Sequence, residues 1–178
     1  NPSGLAPGTY TGTITVTPAV SAQPVVVPVS MTLSAAGPSM TSVVNGASFQ
    51  MGSIAPGQIV TVFGSGMGPA TLTTFRLTAS GALDTYLADV RVLFDELPAP
   101  LLYVSATQTA LIVPYGVAGR TLVRMQVEYR GLRSTAALVP VAESATGLFT
   151  VGGGTKAAAL NQDGTVNAVQ NGAQPGSI

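Results

Sequence analysis

From Thr9 to Thr17 every second residue is threonine, and Tyr10, Gly12, Ile14 and Val16 fill the places between. A period of two puts the two sets on opposite faces of an extended strand, whereas a helix would scatter both around its whole surface. The same period returns further on, where Val25, Val27, Val29, Met31 and Leu33 alternate with Val26, Pro28, Ser30 and Thr32. Ala6-Pro7-Gly8 reads as a turn before the first run, and residues 18–24 as the loop between the two, so residues 1–37 are predicted to form a hairpin. Pro28 has no amide hydrogen for a ladder, which assigns its strand to an edge or to an unpaired position. Two strands alone are marginal in water. The hairpin is therefore expected to finish a sheet whose other strands lie elsewhere, and its contact residues toward a neighbouring chain are Tyr10, Ile14, Val16, Val25, Val27, Val29, Met31 and Leu33.

The rest of the chain repeats this texture in shorter pieces. With 21 Gly and 13 Pro in 178 residues, turns interrupt it too often for long helices, and the pattern fits an all-β sandwich or barrel. Residues 36–39 read as a linker. Strands are predicted at 42–45, 59–63, 90–94, 101–104 and 109–113, the last closed by Pro114. Val123, Met125, Val127 and Tyr129 face one way and Arg124, Gln126 and Glu128 the other, which implies one buried and one solvated face. Arg130-Gly131 turns that strand into a partner over 133–141. Gly64 to Pro69 and Asp95 to Pro100 read as turns, and residues 70–86 follow neither period.

The side-chain inventory excludes several chemistries. The absence of Cys removes disulfides, thiolate nucleophiles and thiolate metal sites. The absence of His removes imidazole ligands and the Ser-His-Asp arrangement. Seven basic and seven acidic residues give a net charge of zero, without the basic excess that a nucleic-acid backbone demands. Only 8% of residues are charged, against roughly a quarter in an ordinary domain, and this composition leans toward a secreted or cell-surface protein. No apolar run approaches the roughly 20 residues of a membrane helix.

A weak internal repeat suggests modules in series. Val44-Asn45-Gly46-Ala47 precedes Ala55-Pro56-Gly57-Gln58-Ile59, and Val166-Asn167-Ala168-Val169 precedes Gln174-Pro175-Gly176-Ser177-Ile178. In the first copy the isoleucine opens an apolar strand. Residues 148–178 are thus expected to begin another module, and the start at Asn1-Pro2 reads as a processed product or a segment of something longer. The expected division is a closing hairpin over 1–37, a sandwich over 38–147 and the start of a further module over 148–178.

Two family resemblances accompany these patterns. Gly4-Leu5-Ala6-Pro7-Gly8-Thr9-Tyr10, continuing through Val16 and then Val25 to Leu33, resembles the closing strands of BACON-like and related bacterial Ig-like domains. A second set is Val44-Asn45-Gly46-Ala47-Ser48-Phe49, Ile54-Ala55-Pro56-Gly57, Phe63 to Pro69, Pro98-Ala99-Pro100-Leu101-Leu102-Tyr103-Val104-Ser105 and Val113-Pro114-Tyr115. It is similar to a family of C-terminal Ig-like modules of large secreted bacterial proteins, related in pattern to IPT/TIG domains. The match covers roughly residues 42–178 and departs from the family after Ile178, where further strands would follow. The resemblance implies an Ig-like sandwich in an extracellular setting. That family has no established catalytic residues, so no mechanism comes with it.

Candidate sites are few. Gly64-Ser65-Gly66 lacks the G-x-S-x-G frame and the His partner of a nucleophile elbow. Gly64, Gly66 and Gly68 follow a strand, but Pro69 and the missing helix pattern leave a turn in place of a dinucleotide loop. Asn161-Gln162-Asp163-Gly164-Thr165 resembles the start of a calcium loop, without a third oxygen ligand or a closing Glu, and a tight Asp-Gly turn accounts for it. Asp84, Asp89, Asp95 and Glu96 form the one acidic cluster, read as a solvated rim near Arg76 and Arg91, the sharper reading being a carboxylate pair for glycoside cleavage. Lys156 is the only lysine and so the only possible donor for a Lys-Asn crosslink, which needs a buried Lys beside a carboxyl group. Tyr86, Tyr103, Tyr115 and Tyr129 suit core packing or a sugar-stacking face. Together these readings point to a non-enzymatic extracellular structural module without a cofactor, joined to its own kind or to adjacent modules by inter-chain strand complementation. The alternative is an accessory module that binds carbohydrate or protein.

Overall fold

The computed structural model describes residues 4–19, 23–33, 35–154 and 156–177. Asn1-Pro2, the middle of the 18–24 loop and Ile178 of the repeat lie outside the described residues. The chain divides into two compact units, residues 1–36 and 37–178.

The first unit is an antiparallel pair, β1 (Gly8–Val16) and β2 (Val25–Leu33), in unbroken register from Gly8 opposite Leu33 to Val16 opposite Val25. The Tyr10 hydroxyl donates to the Ala6 carbonyl at 2.7 Å, which ties the strand to the turn before it. Pro28 lies opposite Thr13. In a two-stranded sheet both strands are edges, so a residue without an amide hydrogen is tolerated there.

The second unit contains β3 (Ser39–Asn45), β4 (Ile59–Ser65), β5 (Thr73–Thr74), β6 (Val90–Phe94), β7 (Leu97–Pro98), β8 (Leu101–Val104), β9 (Gln108–Ile112), β10 (Leu122–Tyr129), β11 (Leu132–Arg133) and β12 (Ala137–Pro140). One sheet has the order β3-β4-β9-β8-β5. In the other, β10 pairs with β6 on one side and with β11 and β12 on the other, and β7 lies beyond β6. Alternation along β4, β6 and β10, with a register shift between Leu101 and Tyr103 in β8, supplies one shared core: Val60 and Val62 of β4, Leu101 and Val104 of β8 and Leu111 of β9 join Val90, Val92 and Phe94 of β6 and Val123, Met125 and Val127 of β10. The connections contribute Ile54, Met67, Leu87, Val113 and Val117 to the same cluster. Burying the apolar halves of two sheets against each other defines a β-sandwich. Both sheets are open, and no ladder closes them into a barrel among the described residues.

Several local readings change. The strand expected over 133–141 breaks into β11 and β12, because Ser134 is buried and its hydroxyl accepts the Val127 amide at 3.0 Å while its own amide donates to the Val127 carbonyl. The hydroxyl takes the place of a ladder carbonyl, so regular pairing stops for lack of a backbone acceptor. Asp95 to Pro100 is also more than a turn. Asp95 and Glu96 both take positive φ, 46° and 70°, the pattern of a type I′ connection, and this brings β7 back onto β6. In residues 70–86 order is limited to β5 and single bridges such as Leu77 to Leu83.

The turn from Gly64 onward is glycine-rich for a packing reason. A Cβ on Gly64 would overlap the Ser39 carbonyl oxygen and crowd the Met67 sulfur, because β3 crosses closely there beside its bulge between Met40 and Ser42. Among the described residues one buried side chain is unsatisfied: Thr109 on β9 is fully buried and its hydroxyl finds no partner there. Val at this position keeps the shape and removes the desolvated oxygen, so Thr109→Val is expected to raise stability by about 1 kcal/mol. Chemical denaturation of the two proteins side by side measures this, and a loss of stability would show that the hydroxyl has a partner in solution.

Candidate functional site

The hairpin register decides which side chains share a face. Residues directly opposite in an antiparallel pair project to the same side. Tyr10 lies opposite Met31, Gly12 opposite Val29, Ile14 opposite Val27 and Val16 opposite Val25, with Leu33 opposite Gly8. All eight of the proposed contact residues therefore stand on one face. Ile14, Val16, Val25, Val27, Val29 and Met31 are exposed, up to 58% for Val25, and Tyr10 and Leu33 are half-buried. The opposite face carries Thr9, Thr11, Thr13, Thr15, Ser30 and Thr32 with Val26 and Pro28, and the Thr9 and Thr32 hydroxyls lie 3.4 Å apart across it.

An apolar face this continuous covers on the order of 500 Å², as much as the largest apolar patch of a typical monomer. A two-layer sheet normally buries such a face against a second sheet. Within the first unit no second sheet exists among the described residues. Residues 1–36 contain no Asp, Glu, Lys or Arg, so the hairpin lacks the charged side chains with which edge strands usually discourage pairing.

The acidic cluster has a different character. Asp84 accepts from Arg76 at 2.5 Å, Asp95 from Arg120 at 2.5 Å and Glu96 from Arg133 at 2.8 Å; Asp89 lies 3.8 Å from Arg130. Arg91 lies 3.6 Å from Glu128 and stacks over the ring of Tyr86, whose hydroxyl donates to Asp89. The Arg76 guanidinium, helped by the Tyr86 amide, holds the Asp84 carboxyl below the usual carboxylate range. The Arg124 backbone amide does the same for Asp95, with Arg120 adding to it. A general acid for glycoside cleavage needs the reverse, a carboxyl held protonated. These pairs are exposed at their arginine ends, where such contacts contribute little to stability.

The tyrosines are dispersed. Tyr103 lies on β8 and receives a hydrogen bond from Gln108, whereas Tyr129 lies on β10, packs against the core and sits under Arg130. Tyr86 donates to Asp89 at 2.9 Å. Tyr115 is 76% exposed and its hydroxyl fills the space where a Gly57 Cβ would be. Near it an open cleft of ≈ 400 Å³ is lined by Asn45, Gly57, Gln58, Glu143 and Phe149 among others. Lys156 is exposed and pairs with no carboxylate among the described residues. Asp163 and Gly164 form a tight turn with Gly164 at φ 81°, and the Asp163 carboxylate is occupied by the Thr165 amide and hydroxyl. No group of three or more acidic, His or Cys side chains comes together as a metal set, and no helix is long and apolar enough to cross a membrane, among the described residues. No protein-family model and no curated protein matches this chain.

Proposed function

We propose that this chain is a non-enzymatic structural module of a bacterial secreted or cell-surface protein, an Ig-like sandwich of the IPT/TIG kind preceded by the closing hairpin of a BACON-like domain. The hairpin joins it to a neighbouring chain or module by β-complementation, and repetition of that contact builds a filament. The observation that carries this reading is the uncovered apolar face of β1 and β2. Both strands are edges with free backbone groups, and a partner that adds a strand there covers the face as well. The donating hairpin and the receiving surface differ, so the contact is heterologous and can propagate. Residues 148–177 fit the start of a following module: Gln174 to Ser177 repeats the Pro-Gly turn of Ala55 to Gln58, with Gly176 at φ 85° and Gly57 at φ 76°.

Sedimentation over a wide concentration range tests the reading. The expected result is a mass that grows with concentration and returns to that of one chain in Val27→Asp, while the melting of the sandwich unit stays unchanged. A single-chain mass at the highest concentration, with the amides of β1 and β2 protected from exchange, would overturn it. The exposed Tyr115 beside the Glu143 cleft favours the second reading, a carbohydrate-binding accessory module. It requires glycan binding that Tyr115→Ala abolishes.

A further inference from the structure

The sequence contains two Asn-Gly pairs, Asn45-Gly46 and Asn171-Gly172, and the fold treats them in opposite ways. An Asn followed by Gly is the pair most open to spontaneous cyclisation, because no side chain shields the following amide nitrogen and glycine has the widest choice of backbone angles. The reaction needs that nitrogen free and the Asn carboxamide able to reach it.

At Asn45 neither condition is met. The Gly46 amide donates to the Ile59 carbonyl at 2.9 Å. The Asn45 Oδ1 accepts from the Ala47 and Ser48 amides at 2.9 and 3.1 Å, and its Nδ2 donates to the Ala145 carbonyl. At Asn171 the side chain and the following glycine are exposed. Although its Nδ2 is held by Thr165 and Val166, its Oδ1 accepts no hydrogen bond among the described residues, so the carboxamide is pinned at one end only, against both ends at Asn45. The Gly172 amide has no acceptor among the described residues, and the nearest atom to a Cβ built there is 3.9 Å away.

We infer that Asn171 is a site of spontaneous, fold-selected deamidation. The Gly172 nitrogen gives up its proton and forms a bond to the Asn171 Cγ. The Cγ–Nδ2 bond breaks and the nitrogen leaves as ammonia. Water then opens the resulting succinimide at either carbonyl, giving aspartate or isoaspartate.

The product has a structural consequence. The Asn171 Nδ2 donates to the Thr165 Oγ1 at 2.8 Å and to the Val166 carbonyl at 3.2 Å. The Thr165 hydroxyl proton is given to Asp163 at 2.6 Å. A carboxylate at position 171 has no proton to donate, and it faces an oxygen whose own proton is already used. The knot also includes Asn161, which donates to Thr165 and to the Asn171 carbonyl, and Asn167, which donates to Asn161. Deamidation opens this knot without a route back.

The test is incubation of the full chain at mildly alkaline pH, with aliquots cut by trypsin and mapped by mass spectrometry and isoaspartate detection. Cleavage after Arg76 and Lys156 puts the two Asn-Gly pairs on separate peptides. The expected result is conversion in the peptide that begins at Ala157, several-fold faster than in the peptide that ends at Arg76. The two rates become equal when the chain is held unfolded in urea. Gly172→Val, a position with room for the side chain, is expected to suppress the reaction, and Asn171→Asp to speed amide exchange at Asn161 and Asn167. Conversion of Asn45 at the rate of Asn171 in the folded chain, or an Asn171 that stays intact while unfolded Asn45 converts, would overturn the inference.

Discussion

Replacing Phe94 by alanine is expected to remove about 3–5 kcal/mol of folding stability from the sandwich unit. Phe94 is fully buried at the end of β6, opposite Met125 on β10, and belongs to the cluster that both sheets share. Truncation removes the apolar area of the ring and leaves a cavity bounded by β-strands, whose backbone is held in ladders and collapses poorly. A domain of ordinary stability has about 5–15 kcal/mol in all, so the variant is expected to be partly unfolded in mild denaturant. Denaturant melts followed by circular dichroism measure this. A loss below about 1 kcal/mol would mean that the core at Phe94 is far looser than its burial indicates. Phe94→Leu, which keeps most of the volume, is expected to lose much less.

Gly64→Ala is expected to cost about 3 kcal/mol, near the top of the range for overpacking. The added methyl would overlap a backbone atom, the Ser39 carbonyl oxygen, and the side chain behind it, Met67, is itself fully buried. Relief requires β3 to move away from β4, which loosens their ladder at Ser39 and Met40. The same melts report it, and hydrogen exchange adds a local readout: the amides at that end of β3 are expected to lose protection first. Gly66→Ala distinguishes close approach from backbone conformation, since Gly66 has φ 62° and a Cβ there would meet only the Gly37 carbonyl oxygen, at 4.0 Å. An equal loss in the two variants would point to strain in the turn and away from the Ser39 contact.

The all-β class and the central strands of the sandwich were legible because alternation, β-branched residues and turn residues agreed there. In β10 the buried set Val123, Met125 and Val127 is the one that period two selects. Along the chain Asp95-Glu96 reads as an ordinary turn, because Asp tolerates positive φ but Glu in the second place, where a type I′ turn favours Gly, does not signal it. Their conformation depends on the Arg124 amide, which donates to Asp95, and on Arg133, which pairs with Glu96. Such partners are invisible along the chain: Glu96 and Arg133 are 37 residues apart. The break at Ser134 was hidden for a similar reason, since a serine in an alternating run gives no sign that its hydroxyl replaces a carbonyl.

The hairpin face could be read from sequence almost entirely, because with period two the register alone assigns each side chain to a side. Its partner could not, since apolar surface is complementary to any apolar surface of matching shape. The protection of Asn45 was likewise out of reach, as it rests on Ile59 and on Ala145, which lies 100 residues away.

A β1–β2 surface without a single Asp, Glu, Lys or Arg has a thermal consequence. Burial of apolar surface is driven by entropy near room temperature and weakens on cooling, while sulfate and similar excluded solutes strengthen it. A contact made through this surface would loosen on ice and tighten in ammonium sulfate, whereas a contact made of ion pairs would weaken as ionic strength rises.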